Sequence, residues 1–209
     1  MSAVLIDPVK EHIERDLKLL EELGLMLKLV LDTHVHADHI TAAGELRERT
    51  SCDTGVSTQC DVGCANLQLS EEQTIEVGEI FIQVIETPGH TNGCLSYLVG
   101  DMVFTGDALL IRGCGRTDFQ SGNAGTLFDS VTKKLFSLPD NTRVYPAHDY
   151  RGNTMSTIAE EKAFNPRLIK TREEFVVFMS SLRLESPRKI MEALPANLNC
   201  GIVRATVCS

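Results

Sequence analysis

Between Thr33 and Leu46 the chain reads THVHADHITAAGEL, and four side chains able to bind a metal, His34, His36, Asp38 and His39, fall within six residues. The whole chain has six histidines, so three in one loop exceed what local hydrogen bonding at a strand end calls for. Neutral imidazole is the commonest protein ligand for metals, and a carboxylate set among imidazoles extends the choice to hard and borderline cations such as zinc and ferrous iron. Further along, TPGH carries His90, FTGD carries Asp107 and PAHDY carries His148, each just past a strand-like segment. Five of the six histidines thus stand at strand ends, and convergence on one metal site is the economical reading. Residue types and spacing leave open which metal is held and which reaction follows.

The elements that must position these groups follow from the apolar pattern. Residues 3–24 read as a short buried strand running into a helix, with Asp7 as cap, Pro8 at the first helical position and Gly24 as the stop. Val9, Ile13, Leu17 and Leu20 would line one helical face, with His12 at its surface or at the edge of the core. A strand over 25–32 delivers His34, and a helix is expected over 42–49. After a polar connection from 50 to 72 the chain turns strand-rich, with strands expected at 81–86, 93–99 and 102–105. A helix over 124–135, a strand over 143–145, and helical signals at 158–164 and 173–182 complete the pattern. No repeat or low-complexity linker marks a second domain, so one domain over residues 1–209 is expected.

Composition narrows the function classes. Hydrophobic residues make up 43% and charged residues 23%, as in an ordinary soluble protein, and the net charge of −9 argues against nucleic acid or an anionic membrane as partner. No apolar run approaches the roughly 20 residues of a bilayer span, and no signal-peptide core stands at the start, so an intracellular protein is expected. The seven cysteines are odd in number and lack paired CxxC spacing, which predicts reduced thiols rather than a disulfide framework or a zinc knuckle. Cys94 and Cys114 are expected simply to pack.

The order HxHxDH, PGHT, TGD, PAHD resembles the metallo-β-lactamase superfamily, which implies an αββα sandwich with its site at one edge between two mixed sheets. Within it, segments 3–8, 33–40, 87–93, 104–119, 145–150 and 165–167 resemble the persulfide dioxygenases, the sulfur dioxygenase family linked to ethylmalonic encephalopathy. The run FTGDALLIRGCGRTDFQ, with PAHDY and NPRL, is the specific part. The resemblance implies one ferrous ion per chain on His34, His90 and Asp107, with His36, Asp38, His39 and His148 around it as hydrogen-bonding groups. It implies glutathione persulfide and dioxygen as substrates, sulfite and glutathione as products, and substrate contacts at Arg116, Tyr150 and Arg167. Arg116 has a competing use, an ion pair with Asp118, and Arg112 has a structural one. Gly113 and Gly115 are expected at positive backbone dihedrals beside the substrate, and Gly89 is expected to turn the chain toward His90.

Two departures from that family pattern stand out. The first N-terminal strands of the family are lacking ahead of AVLIDPV, which would expose a sheet edge and favour a homodimer, and GIVRATVCS runs past the usual end. Rival readings are a glyoxalase II-type thioesterase with a dinuclear site, and a non-catalytic remnant or metal- or thiol-binding module. The compartment implied is a bacterial cytoplasm or a mitochondrial matrix.

Overall fold

The computed structural model describes residues 1–202; most of GIVRATVCS, including Cys208, lies outside the described residues. Two sheets face each other. One is parallel and four-stranded, in the order β1 (Ser2–Ile6), β2 (Met26–Leu31), β3 (Asp53–Ser57), β4 (Leu67–Leu69). Parallel neighbours need crossovers, and α1 (Ile13–Glu22) and α2 (Ala43–Thr50) supply the first two.

The second sheet holds β5 (Thr74–Val77), β6 (Ile80–Glu86), β7 (Leu95–Val99), β8 (Met102–Gly106), β9 (Arg143–Pro146) and β10 (Ser156–Thr157). Neighbours run antiparallel except β8 and β9, where Phe104 lies opposite Tyr145. The long β8 to β9 crossover carries α3 (Ala124–Asp129), which continues through a π turn at Ser130–Lys134 and a short 3-10 turn at Leu135–Ser137. Then follow α4 (Ile158–Phe164), α5 (Arg172–Ser181) and α6 (Ile190–Asn197).

Alternating strand side chains build three cores. Leu29, Leu31, Ile82, Val84, Leu95 and Tyr97 fill the space between the sheets. Val30 points the other way, onto Ile13, Leu20 and Leu46 of α1 and α2. Val103 and Val144 pack outward under Leu127, Ile158 and Phe175 of α3, α4 and α5. The metallo-β-lactamase αββα arrangement expected from the motifs is therefore present, and the strand ends that carry them meet at one edge.

Four expectations are corrected. Asp7 does not cap α1, which starts only at Ile13 after a short 3-10 turn over Lys10–His12; its carboxylate turns instead toward Thr33 and His36. The stretch 50–72 contains β3 and β4, missed because DTGVS buries Thr54 and Ser57 and so shows no apolar alternation. α6 was missed as well, since Pro195 lies within it and only Ala193, Ala196 and Asn197 of its residues are buried. Not all thiols are reduced: Cys64 and Cys200 form a disulfide, Cα to Cα 6.1 Å across 136 residues of sequence, while Cys52, Cys60, Cys94 and Cys114 are free. Partners that distant in sequence leave no spacing signature.

Candidate metal centre

The ends of β2, β6, β8 and β9 bring His34, His90, Asp107 and His148 to one place. One ligand atom from each of His34, His90 and Asp107 lies within 4.8 Å of the other two, and His36, Asp38 and His39 form a second such group. His90 Nε2 stands 3.5 Å from Asp107 Oδ2. His148 Nε2 stands 3.6 Å from Asp107 Oδ1 and 3.5 Å from Asp38 Oδ2. All seven residues singled out in the sequence thus gather at one cluster. His34 and His36 are buried, and His36 Nδ1, His39 Nε2 and Asp107 Oδ1 are buried atoms without a hydrogen-bond partner among the described residues. Buried polar atoms left unpartnered in this way are costly unless an ion or a water satisfies them.

Hydrogen bonds around the cluster fix which imidazole nitrogen is left to bind. Thr33 donates from its backbone N to Asp7 Oδ1 at 2.6 Å and from Oγ1 to Asp7 Oδ2 at 2.8 Å. With that hydroxyl proton committed, Thr33 Oγ1 can only accept at its 3.0 Å contact with His34 Nδ1, so His34 carries its proton on Nδ1 and keeps Nε2 as a lone pair. Similarly, His90 Nδ1 donates to the Arg116 carbonyl at 2.7 Å, leaving Nε2 free on the Asp107 side. Burial, reinforced by the imidazoles of His36, His90, His148 and His39, pushes His34 well below its ordinary value, which suits a neutral ligand. Burial also works against a charged His36, but the hydrogen-bonded Asp7 carboxylate 2.9 Å from its Nε2 outweighs it and raises the imidazole to about 9. Burial pushes the neighbouring Asp32 carboxyl up to about 7.

Asn197 is the positioning residue that the sequence did not betray. From α6 its Oδ1 accepts from Thr41 N at 2.9 Å, and its Nδ2 donates to the carbonyls of His36 at 2.8 Å and His39 at 2.9 Å. The histidine loop is therefore fastened to the far end of the chain by one buried side chain. A polar residue closing the otherwise apolar ALPAN was the available signal.

On the other side, residues 110–116 are strapped down by α4 and the turn that follows it. The fully buried Glu161 accepts from Arg112 N at 2.9 Å, from the Arg112 guanidinium and from Ser156 Oγ at 2.6 Å. Asn165 Nδ2 donates to Glu161 at 2.8 Å and to the Gly113 carbonyl at 2.9 Å. Arg112 itself adopts φ 57°, whereas Gly113 and Gly115 are not at positive φ, contrary to expectation. Gly115 serves close approach instead, because a Cβ there would come within 2.3 Å of the Asp107 carbonyl and 2.9 Å of His90 Nδ1. Gly89 does turn the chain, at φ 136°.

A cavity of about 440 Å³ opens beside the cluster, with Asp107 and His148 at its lining. Arg116, Tyr150 and Arg167 all line it. Arg116 is nevertheless engaged internally: it pairs with Asp118 through Nε at 2.7 Å and Nη2 at 2.8 Å, and donates to the Glu185 carbonyl at 2.6 Å. Arg167 donates from Nη1 to the Cys114 carbonyl at 2.8 Å, beside the buried Cys114 thiol, and lies over the Phe178 ring. Arg112 has the structural use foreseen for it, pairing with Glu160 and Glu161. Tyr150 is exposed and stacks parallel to His148.

The metallo-beta-lactamase superfamily model matches residues 2–58 and 66–148. The mitochondrial persulfide dioxygenase ETHE1 of Mus musculus is 49% identical over 96% of this chain and 80% of its own length, and that of Homo sapiens is 48% identical over 98% and 81%. The crystal structure of ETHE1 from Myxococcus xanthus superposes with a TM-score of 0.94 at 56% identity, covering 96% of this chain and 89% of the other. With that identity spread over nearly its whole length, the chain belongs to the persulfide dioxygenase family of the metallo-beta-lactamase superfamily.

Proposed function

We propose that this protein is an iron-dependent persulfide dioxygenase acting on glutathione persulfide, with one ferrous ion held by His34, His90 and Asp107. The observation that carries the reading is that these three converge on one another and that Asp107 also lines a cavity able to admit a small ligand, in a chain of this family. The donor set fits the ion: two imidazoles and one carboxylate on one side leave positions open for further ligands. Bound there, iron would supply the electron path by which spin-restricted dioxygen can react with a sulfur. The overall change is glutathione persulfide plus dioxygen plus water giving glutathione, sulfite and two protons.

The protein's own contribution is placement. The Asp7 to Thr33 relay and the Arg116 carbonyl fix His34 and His90 as Nδ1–H tautomers, so that each presents Nε2. Gly115 keeps the 110–116 strap tight against Asp107. His36, Asp38, His39 and His148 act around the ion: Asp7 holds His36 by Nε2, and Asp38 holds His39 by Nδ1 at 3.2 Å. The unpartnered His36 Nδ1 and His39 Nε2 are also where a second ion would find ligands, so metal must be counted as well as activity.

The test is oxygen uptake by anaerobically iron-loaded protein on addition of glutathione persulfide, with sulfite and bound iron quantified and S-lactoylglutathione hydrolysis measured alongside. Sulfite matching oxygen at one iron per chain is expected. Thioester hydrolysis with two metals per chain and no oxygen uptake would overturn the proposal.

A further inference from the structure

Four arginines line the cavity beside the candidate metal centre: two are paired with carboxylates, and a third is tied through one nitrogen to a backbone carbonyl. All of Arg116's donor nitrogens are engaged, by Asp118 and the carbonyls of Leu184 and Glu185. Arg112 is held by Glu160 and Glu161, and Arg167 gives Nη1 to the Cys114 carbonyl. Arg151 differs: its backbone is fixed, but its guanidinium has no partner among the described residues. The fixing group is Asp149, whose Oδ2 accepts from Arg151 N at 2.8 Å and from Asn153 N at 2.7 Å. That carboxylate, lowered first by the Arg151 backbone N–H, is spent on the turn and does not neutralise the side chain two residues on.

We propose that Arg151 is a specificity-determining residue of the cavity, its guanidinium gripping a carboxylate of the glutathione moiety while the persulfide end lies toward Asp107 and His148. The assignment rests on the persulfide dioxygenase reading for the identity of the ligand. Arginine is the suitable side chain, since its planar fork binds a carboxylate through two parallel hydrogen bonds. Reach agrees as well. Arg151 is three residues from His148, at most roughly 10 Å of extended chain, which matches the length of a tripeptide arm running out from a sulfur at the cluster. Glu185 is the other charged side chain lining the cavity that lacks a partner among the described residues, and it has the opposite sign. The cavity therefore offers a cation for a carboxylate and an anion for an ammonium, the charges that glutathione carries and a simple alkyl persulfide lacks.

Two measurements test this on the full chain. First, binding of S-methylglutathione, which has no thiol to react, is followed by titration calorimetry for the parent protein, Arg151→Gln and Arg151→Lys. Losing a charge-assisted pair should weaken binding about ten-fold or more in Arg151→Gln, with partial recovery in Arg151→Lys. Second, kcat/KM is compared for glutathione persulfide and a carboxylate-free alkyl persulfide. The loss in Arg151→Gln should fall on glutathione persulfide, chiefly through KM, and exceed that on the alkyl persulfide by about ten-fold. Equal losses on both substrates, or unchanged S-methylglutathione binding, would overturn the assignment. If the parent protein oxidises neither persulfide, the failure lies with the proposed function, and the calorimetry still reports on Arg151 separately.

Discussion

At the scale of single residues, the proposed centre divides into groups that would hold the ion and groups that hold those groups. Asp107 and His90 face each other across 3.5 Å, with His90 Nδ1 spent on the Arg116 carbonyl and Asp107 Oδ1 left without a partner among the described residues, so neither can be replaced from its surroundings. His36 is different, because its Nε2 is tied to Asp7 and only Nδ1 looks toward the cluster. Alanine at His90 or Asp107 is therefore expected to abolish both iron binding and oxygen uptake. His36→Ala should weaken iron affinity by roughly 10- to 100-fold yet leave measurable iron, the usual scale for an outer group. Metal analysis after gel filtration reads both. Loss of all iron from His36→Ala would make His36 a ligand and the proposed partition wrong.

Among the elements, α6 has the most leverage for its size. Its Asn197 satisfies one N–H and two carbonyls of the histidine loop, and none of the three has an alternative partner among the described residues. Each buried group left unpaired costs about 1–3 kcal/mol, so Asn197→Ala should destabilise the fold by several times a surface substitution and slow iron uptake. Denaturant unfolding and loading kinetics would show it; a variant as stable as the parent would mean water takes over the role of Asn197. The same end of the chain is fastened by the Cys64–Cys200 disulfide, which closes a loop across 136 residues. Loop-closure entropy puts its contribution at up to about 5 kcal/mol. Melting with and without dithiothreitol, beside Cys64→Ser, should show a drop that the variant reproduces and that reductant no longer deepens. No difference between oxidised and reduced protein would place α6 under the control of Asn197 and packing alone.

For the molecule as a whole, legibility in the sequence followed whether a signal was local. Strand ends bearing His34, His90, Asp107 and His148 were readable because apolar runs stop at glycine, proline or aspartate beside them. What joins those ends was not: Asp7 reaches Thr33, Asn197 reaches His36 and Glu161 reaches Arg112, at separations of 26, 161 and 49 residues. The free thiols show the same dependence on tertiary burial. Burial pushes Cys94 up to about 12 and Cys60 up to about 11 from an ordinary value of 9.0, and raises Tyr97 well above 10.0. In the unfolded chain these thiols ionise near pH 9.0, while in the fold they stay protonated to about 11 and 12. Between those limits unfolding releases protons, so each thiol's contribution to stability, intact below pH 9, is lost as pH rises toward its folded value. The slope is about 1.4 kcal/mol per pH unit for each fully shifted thiol. Urea midpoints should therefore fall steadily between about pH 9 and pH 11, and less steeply in Cys94→Ala. The free thiol of Cys94 should also resist alkylation in the folded protein until that range is reached, since the thiolate is the nucleophile. A flat urea profile, or rapid labelling of Cys94 at neutral pH, would show that the interior beneath the metal centre admits water and that the strands do not seal it.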